Sequence, residues 1–322
     1  MEISLPTDQV VASPRVTICM ITYNHAAYIG QAIEGILHQQ SAFPFEILIG
    51  EDCSTDQTRS ICQHYQALHP DKIRLLLPEK NLGMITNFYT TLQAATGEYI
   101  AFCEGDDYWI DPLKLQKQVD FLDAHPDFGC VYTDFDMRYQ QSGKVQHSLF
   151  HTRPQRYPLH TDLASFICHP LYLAPCTWLL RRDLLNKPLP STVDGSFVLF
   201  AHLLSQSKIH FLPDTTAVYR RLPESASHTT APEKLYQRES GLRATQFALI
   251  DTYGLPESAK EPINNIYYRR HLRLFILLGK EEELAAARCF FKGKHIRFST
   301  RFLLILSSTA WGRWLIGWSY KK

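Results

Sequence analysis

Gly97–Asp107 reads GEYIAFCEGDD. Tyr99, Ile100, Ala101, Phe102 and Cys103 follow one another without polar alternation and run straight into Glu104-Gly105-Asp106-Asp107. A short unbroken apolar run of this kind predicts a strand buried on both faces. Upstream, Val16-Thr17-Ile18-Cys19-Met20-Ile21, Phe45-Glu46-Ile47-Leu48-Ile49-Gly50 and Ile73 to Leu77 read the same way. Tyr28 to Gln39 is apolar at Ile29, Ala32, Ile33, Ile36 and Leu37, which is helical spacing. A second helix runs to Leu68 with Thr55 or Asp56 as its cap, and a third spans Asn87 to Ala95.

Strand, loop and helix repeated three times predict an α/β fold: a mostly parallel, Rossmann-like sheet with helices on both faces. Ligands bind such sheets beyond the carboxyl ends of the strands. The polar clusters 22–25, 51–56 and 104–107 all fall at that edge. Further on, Leu113 to Ala124 predicts a helix, Cys130 to Tyr139 a strand, and the chain to about Thr161 is irregular. Cys176 to Arg181 and Lys208 to Arg221 read as strands flanking a helix near Phe197 to Ser205. Past Glu224 the pattern is helical only: Glu233 to Tyr253, Ile263 to Leu278 and Glu281 to Phe291. This places a boundary near residue 225, between a ligand-binding catalytic domain (1–225) and a C-terminal helical region (226–322).

Thirty-three basic residues against thirty-two acidic ones give a net charge of +1, so nucleic acid is not an expected partner. Eight cysteines show neither a CxxC nor paired zinc spacing, and several lie in apolar runs. A reduced, cytoplasmic setting fits them. Met1 to Pro14 is polar and lacks the apolar core of a secretory signal. Cys168-His169-Pro170 has no further ligands nearby, which argues against zinc.

Glu104 and Asp106 are two residues apart at a strand end, so their side chains point to one side, and Gly105 between them keeps the backbone uncrowded. Mg²⁺ or Mn²⁺ takes one or two carboxylates and completes its octahedron with phosphate oxygens and water. The pair therefore suits one metal and one diphosphate. The competing reading is an acidic surface turn in which Asp107 or Asp111 caps the next helix. The apolar strand before the turn, and two further polar loops on the same edge, favour the site.

Ile18–Asn24 (ICMITYN), Ile47–Asp56 (ILIGEDCSTD), Asn81-Leu82-Gly83, Gly97–Asp107 and the trailing Trp109, Asp111, Pro112, Leu113 and Lys114 resemble family-2 glycosyltransferases, in order, over roughly residues 14 to 221. The resemblance implies a glycosyltransferase-A fold. It also implies transfer, with inversion, from a nucleotide diphosphate sugar, UDP-linked, to a glycan or lipid-linked acceptor. Thr22, Tyr23 and Asn24 would then lie against the nucleotide, Glu51 or Asp52 would read the base, and Asn81 and Gly83 would close over it. Glu104 and Asp106 match the Asp-x-Asp motif that binds ribose and metal, Glu104 standing where Asp is commoner. Asp107 and Trp109 would face the donor sugar or the acceptor, and Thr177 resembles a position on the acceptor side. Tyr219-Arg220 resembles the end of the family's catalytic domain, with Arg220 either on phosphate or exposed.

The family supplies its catalytic base just before the helix that here begins near Phe197. Counting back from Lys208-Ile209 puts Ser196 there, with Asp194 two residues earlier. Asp194 is the expected base, with a helix cap or a solvated loop residue as the other reading. Ser196 keeps a non-catalytic nucleotide-sugar-binding scaffold in play. A sugar-nucleotide pyrophosphorylase fits less well, because Thr22-Tyr23-Asn24-His25 has neither glycine nor a basic residue. A dinucleotide oxidoreductase lacks its GxGxxG.

The C-terminal stretch 292–322 carries Lys292, Lys294, Arg297, Arg301, Trp311, Arg313, Trp314 and Trp318 around Phe302-Leu303-Leu304-Ile305-Leu306. Its apolar run is too short for a bilayer core of ~30 Å. Basic and tryptophan-rich, it suits a peripheral position on the cytoplasmic membrane face, or packing against its own domain or a second copy.

Overall fold

The structure, a computed structural model, describes residues 13–152, 162–169, 174–186, 195–222 and 231–307. In chain order its elements begin with β1 (Val16–Thr22), α1 (Ile29–Leu37), β2 (Phe45–Glu51), α2 (Thr58–Leu68), β3 (Ile73–Leu76), α3 (Met84–Gln93) and β4 (Tyr99–Phe102). There follow β5 (Tyr108–Trp109), α4 (Lys114–Ala124), β6 (Phe128–Tyr139), β7 (Val145–Gln146), α5 (Leu149–Thr152) and α6 (Leu163–Cys168). Then come β8 (Leu179–Arg181), α7 (Gly195–Gln206), β9 (Lys208–Arg221), α8 (Pro232–Thr252), α9 (Lys260–Leu278), α10 (Glu281–Phe291) and α11 (Phe298–Ser307).

The described residues fall into two compact units. One takes those up to Phe166 and from 174 to 222; the other takes Ile167–His169 and 231–307. In the first unit the strands order as β3-β2-β1-β4-β8-β6-β9-β5, with β7 paired to β6. β3, β2, β1 and β4 are mutually parallel. β8 turns antiparallel between β4 and β6, while β9 runs parallel to β6. The chain builds outward from β1 to β3 and then returns to lay β4 on the other flank of β1. This reversal makes a topological switch point, where the loops on either side part and leave a crevice.

Every residue of β2 and β4 is buried, which explains their unbroken apolar runs. Besides Glu51 at its end, β2 has one buried acid, Glu46. It accepts from Thr17 Oγ1 at 2.8 Å and pairs with Arg74 at 3.0 Å, so its charge is compensated. α3 starts at Met84, three residues before the expected Asn87, because Gly83 enters it at φ 82°. The expected strand Cys176–Arg181 shortens to β8. Pro175 opens a 3-10 turn over Pro175–Thr177 instead, and Thr177 Oγ1 donates to the Ala174 carbonyl at 2.8 Å. β5, only two residues long, was not predicted. Along β9 the register against β6 jumps from Leu212 to Thr215, a bulge containing Pro213, which has no N–H to give to a ladder.

The second unit packs Tyr267, Tyr268, Leu272 and Phe275 of α9 against Leu284, Ala287 and Phe291 of α10. α8 is tied to α9 by Arg243, which donates to Asn264 at 2.9 Å and to the Tyr268 hydroxyl at 2.9 Å. Among the described residues no helix is long and apolar enough to cross a membrane.

Candidate active site

The carboxyl ends of β1, β2 and β4 carry the three polar loops expected there. They are joined by backbone bonds beyond the strands: Asp52 N–H donates to the Thr22 carbonyl at 3.0 Å, and Gly105 N–H to the Ile21 carbonyl at 3.0 Å. Asn24 and Cys53 both adopt left-handed conformations, at φ 56° and 57°. Asn tolerates that region better than most residues, and such strain clusters at functional loops. Asn24 Oδ1 accepts from the Thr55 N–H at 2.9 Å, while Asn24 N–H donates to Ser54 Oγ at 2.9 Å. Asp56 takes the Ala26 N–H at 3.0 Å and the Thr58 hydroxyl at 2.6 Å. Burial raises its pKa, but those bonds outweigh burial and hold it below the usual carboxylate value. The first two loops are thus one rigid ledge, from which Tyr23 stands 41% exposed.

Glu51 and Asp52 are buried, and both are engaged within the protein. Glu51 pairs with Arg59 at 2.5 Å and accepts the Ser54 N–H at 2.7 Å. Asp52 accepts the N–H of Leu82 at 2.7 Å on one oxygen and that of Gly83 at 3.0 Å on the other. Asn81 closes the contact by donating Nδ2 to the Asp52 carbonyl at 2.9 Å. Asn81 and Gly83 therefore join the ledge, held from β2.

Glu104 and Asp106 are half-buried on the turn after β4. Gly105 between them lies against β1, where a Cβ would come within 2.7 Å of Thr22 Cβ. No side chain but hydrogen fits there. Asp107 and Trp109, expected to face the sugar, are instead buried beneath this turn. Asp107 is 0% exposed; its Oδ1 accepts the Arg220 N–H at 2.8 Å, and the Cys176 thiol hydrogen-bonds the carboxyl. Burial, then the charges of Asp106 and Glu104, hold its pKa well above the usual range. Trp109 is committed to the core by its N–H, which donates to the Cys176 carbonyl at 2.9 Å.

Arg220 is not exposed. It is 4% exposed, donates to the Asp106 carbonyl at 2.8 Å and to Gln31, and lies over the rings of Tyr108 and Tyr28 at 4.5 and 5.0 Å. It holds the acidic turn from below. Sequence reasoning missed this, since the contact joins residues more than a hundred positions apart. Asp194 and the tail beyond Ser307 lie outside the described residues.

Among the described residues no group of three or more His, Cys, Asp or Glu side chains is arranged to hold an ion by itself. A divalent cation at a diphosphate needs only one or two carboxylates. Glu104 and Asp106 supply two, and their mutual repulsion with Asp107 is what an added cation would relieve. The donor set fits such an ion.

This strand order, with strand-end carboxylates at its switch point, is that of the glycosyltransferase-A fold. The chain belongs to glycosyl transferase family 2, whose sequence model matches residues 17–188. It is 35% identical to an uncharacterized protein of Mycobacterium tuberculosis over 239 residues, 73% of this chain and 68% of that one. Its fold is similar to that of TarS from S. aureus, solved with UDP-GlcNAc: TM-score 0.61, 21% identity, 95% of this chain and 91% of that one. The mannosyltransferase PcManGT from Pyrobaculum calidifontis, solved with GDP-Man and Mn²⁺, has TM-score 0.53 and 20% identity, covering 96% and 88%.

Proposed function

We propose that this chain, through residues 1–225, moves a sugar from a UDP-linked donor to a hydroxyl of a glycan or lipid-linked acceptor, with inversion. The observation that carries the proposal is the joining of four loops at one edge of the sheet, with Glu104 and Asp106 half-buried on the last of them. Tyr23 offers its exposed ring to the base, while Thr22, Asn24, Asn81 and Gly83 shape the ledge around it. Asp52, oriented by its two backbone bonds, presents its remaining lone pairs to a base N–H; Glu51, turned to Arg59, supports the loop. Glu104 and Asp106 hold the ribose and a Mn²⁺ or Mg²⁺ ion. When bound, the ion neutralises the charge that builds on the diphosphate as it leaves. Asp107 and Trp109 set the depth of the crevice from underneath.

The acceptor oxygen forms the new bond to the anomeric carbon as the bond from that carbon to the phosphate oxygen breaks. The acceptor proton passes to Asp194 as general base. TarS is a poly(ribitol-phosphate) N-acetylglucosaminyltransferase, which supports an acceptor drawn from surface polymers. The enzyme would then work peripherally, at the cytoplasmic membrane face.

Donor consumption measured with Mn²⁺ and a panel of nucleotide sugars tests this. Asp106→Ala is expected to lose on the order of a hundredfold or more in rate, the scale of a lost electrostatic stabiliser. Asp194→Asn is expected to lose transfer while keeping donor affinity. Full activity in Asp106→Ala, or no donor bound by the wild type, would overturn the reading.

A further inference from the structure

In the second unit, α9 and the start of α11 border an open cavity of about 350 Å³ lined by Asn265, Ile266, Arg269, Arg270, Arg297, Ser299 and Thr300. No acidic residue lines it. Several cations of this unit are matched: Arg243 with Glu283 at 3.6 Å, Lys260 with Asp251 at 2.9 Å, Lys280 with Glu233 at 3.0 Å and Lys294 with Glu261 at 2.5 Å. Among the described residues, no carboxylate pairs with Arg269, Arg270 or Arg297. Three arginines without a carboxylate partner, lining one cavity with hydroxyl and amide groups, offer donors to a phosphate group, which guanidinium binds through paired N–H donors.

The helix that opens at this cavity is apolar on two sides, with Ser299, Thr300 and Arg301 as the polar residues of its first turn. Leu303, Leu304 and Leu306 of α11 pack on the unit's core. Phe298, Phe302 and Ile305, four and three residues apart on one stripe, are 81%, 51% and 60% exposed. A helix apolar on both sides has to be covered by something. A phosphate cavity beside an apolar stripe complements one surface, a phospholipid leaflet, where headgroup phosphate lies next to acyl chain. A water-soluble phosphate compound matches the cavity but leaves the stripe bare.

We infer that α11 lies in the interface of an anionic phospholipid membrane, with Phe298, Phe302 and Ile305 toward the acyl chains. A headgroup phosphate fills the cavity of Arg269, Arg270 and Arg297. The inference rests on the second unit alone and survives or fails independently of the transfer reaction.

Co-flotation of the full-length protein with phosphatidylcholine vesicles, with and without phosphatidylglycerol, tests it. The wild type is expected to float only with the anionic vesicles, and less so as salt rises. Each arginine removed should weaken binding roughly fivefold, and Arg269→Gln with Arg270→Gln and Arg297→Gln together on the order of a hundredfold. Phe298→Ser with Phe302→Ser should abolish flotation while leaving the triple-arginine site able to bind inorganic pyrophosphate. Unchanged melting and donor turnover in both variants exclude misfolding. Equal binding to neutral vesicles, or undiminished flotation of the arginine variant, would overturn the inference. So would pyrophosphate binding by the wild type without any flotation, which identifies a soluble phosphate ligand, or a wild-type dimer in sedimentation that buries the stripe.

Discussion

A lysine with no exposed surface needs partners for its nitrogen, and Lys114 has found them. Its Nζ donates to Gln118 Oε1 at 2.5 Å and lies 4.4 Å from the centre of the Trp109 ring. Burial brings its pKa down to about 7, against about 10.4 in an unfolded chain. Between those values the unfolded state binds more protons, so this residue makes the protein more stable as pH rises through that window. Below it, the full cost of burying a charge is present. Lys114→Met is therefore expected to gain stability relative to the wild type most at pH 6, with the gain fading by pH 9. Urea unfolding of both proteins across that range checks the sign. In the sequence Lys114 was visible only as one letter in a family-like stretch, because its partners Trp109 and Gln118 say nothing of burial until the fold is known. The placement of Glu104 and Asp106 on a turn at the end of a buried strand was legible, since their spacing and the apolar run before them carry that information locally. Asp107, one residue on, was misplaced for the same reason: it faces the opposite way, into Arg220 and Cys176.

At the scale of elements, the parallel strands and their helices could be read because their signals lie within ten residues. β1, β2, β3 and β4 agree with the expected runs to within a residue. β5 and the antiparallel setting of β8 depend on pairing with segments far along the chain, and nothing local encodes that. The turn after β4 illustrates how much an element junction depends on one missing side chain. In Gly105→Ala the new methyl meets Thr22, so either β1 or the turn must move. Overpacking of this kind costs about 1–3 kcal/mol, measurable by urea unfolding. Because Glu104 and Asp106 flank the position, donor turnover is expected to fall further than that stability loss alone accounts for. An alanine variant with wild-type turnover would separate the turn from the site.

At the scale of the molecule, the change from alternating strands and helices to helices alone was evident near Glu224 in composition. That Ile167–His169 group with the C-terminal unit was not, because the three residues lie within sequence otherwise belonging to the first. If nucleotide and ion bind only the folded first unit, they stabilise it by mass action. UDP with Mn²⁺ at a hundred times its dissociation constant should add about 2.7 kcal/mol. Calorimetry should show the melting temperature raised by the pair together, and by much less in Asp106→Ala.

Asp52 anchors a loop with both oxygens at once, and, on the proposal that Asp52 reads the base, that has a consequence for how this enzyme could change its taste in nucleotides. A side chain tethered on either side cannot swing to greet a different heterocycle. Any descendant that came to prefer a purine would have to remodel the tether, residues 81 to 83, before or along with the carboxylate itself. On that proposal selectivity is inherited as a backbone arrangement, and single substitutions are poorly placed to rewrite it.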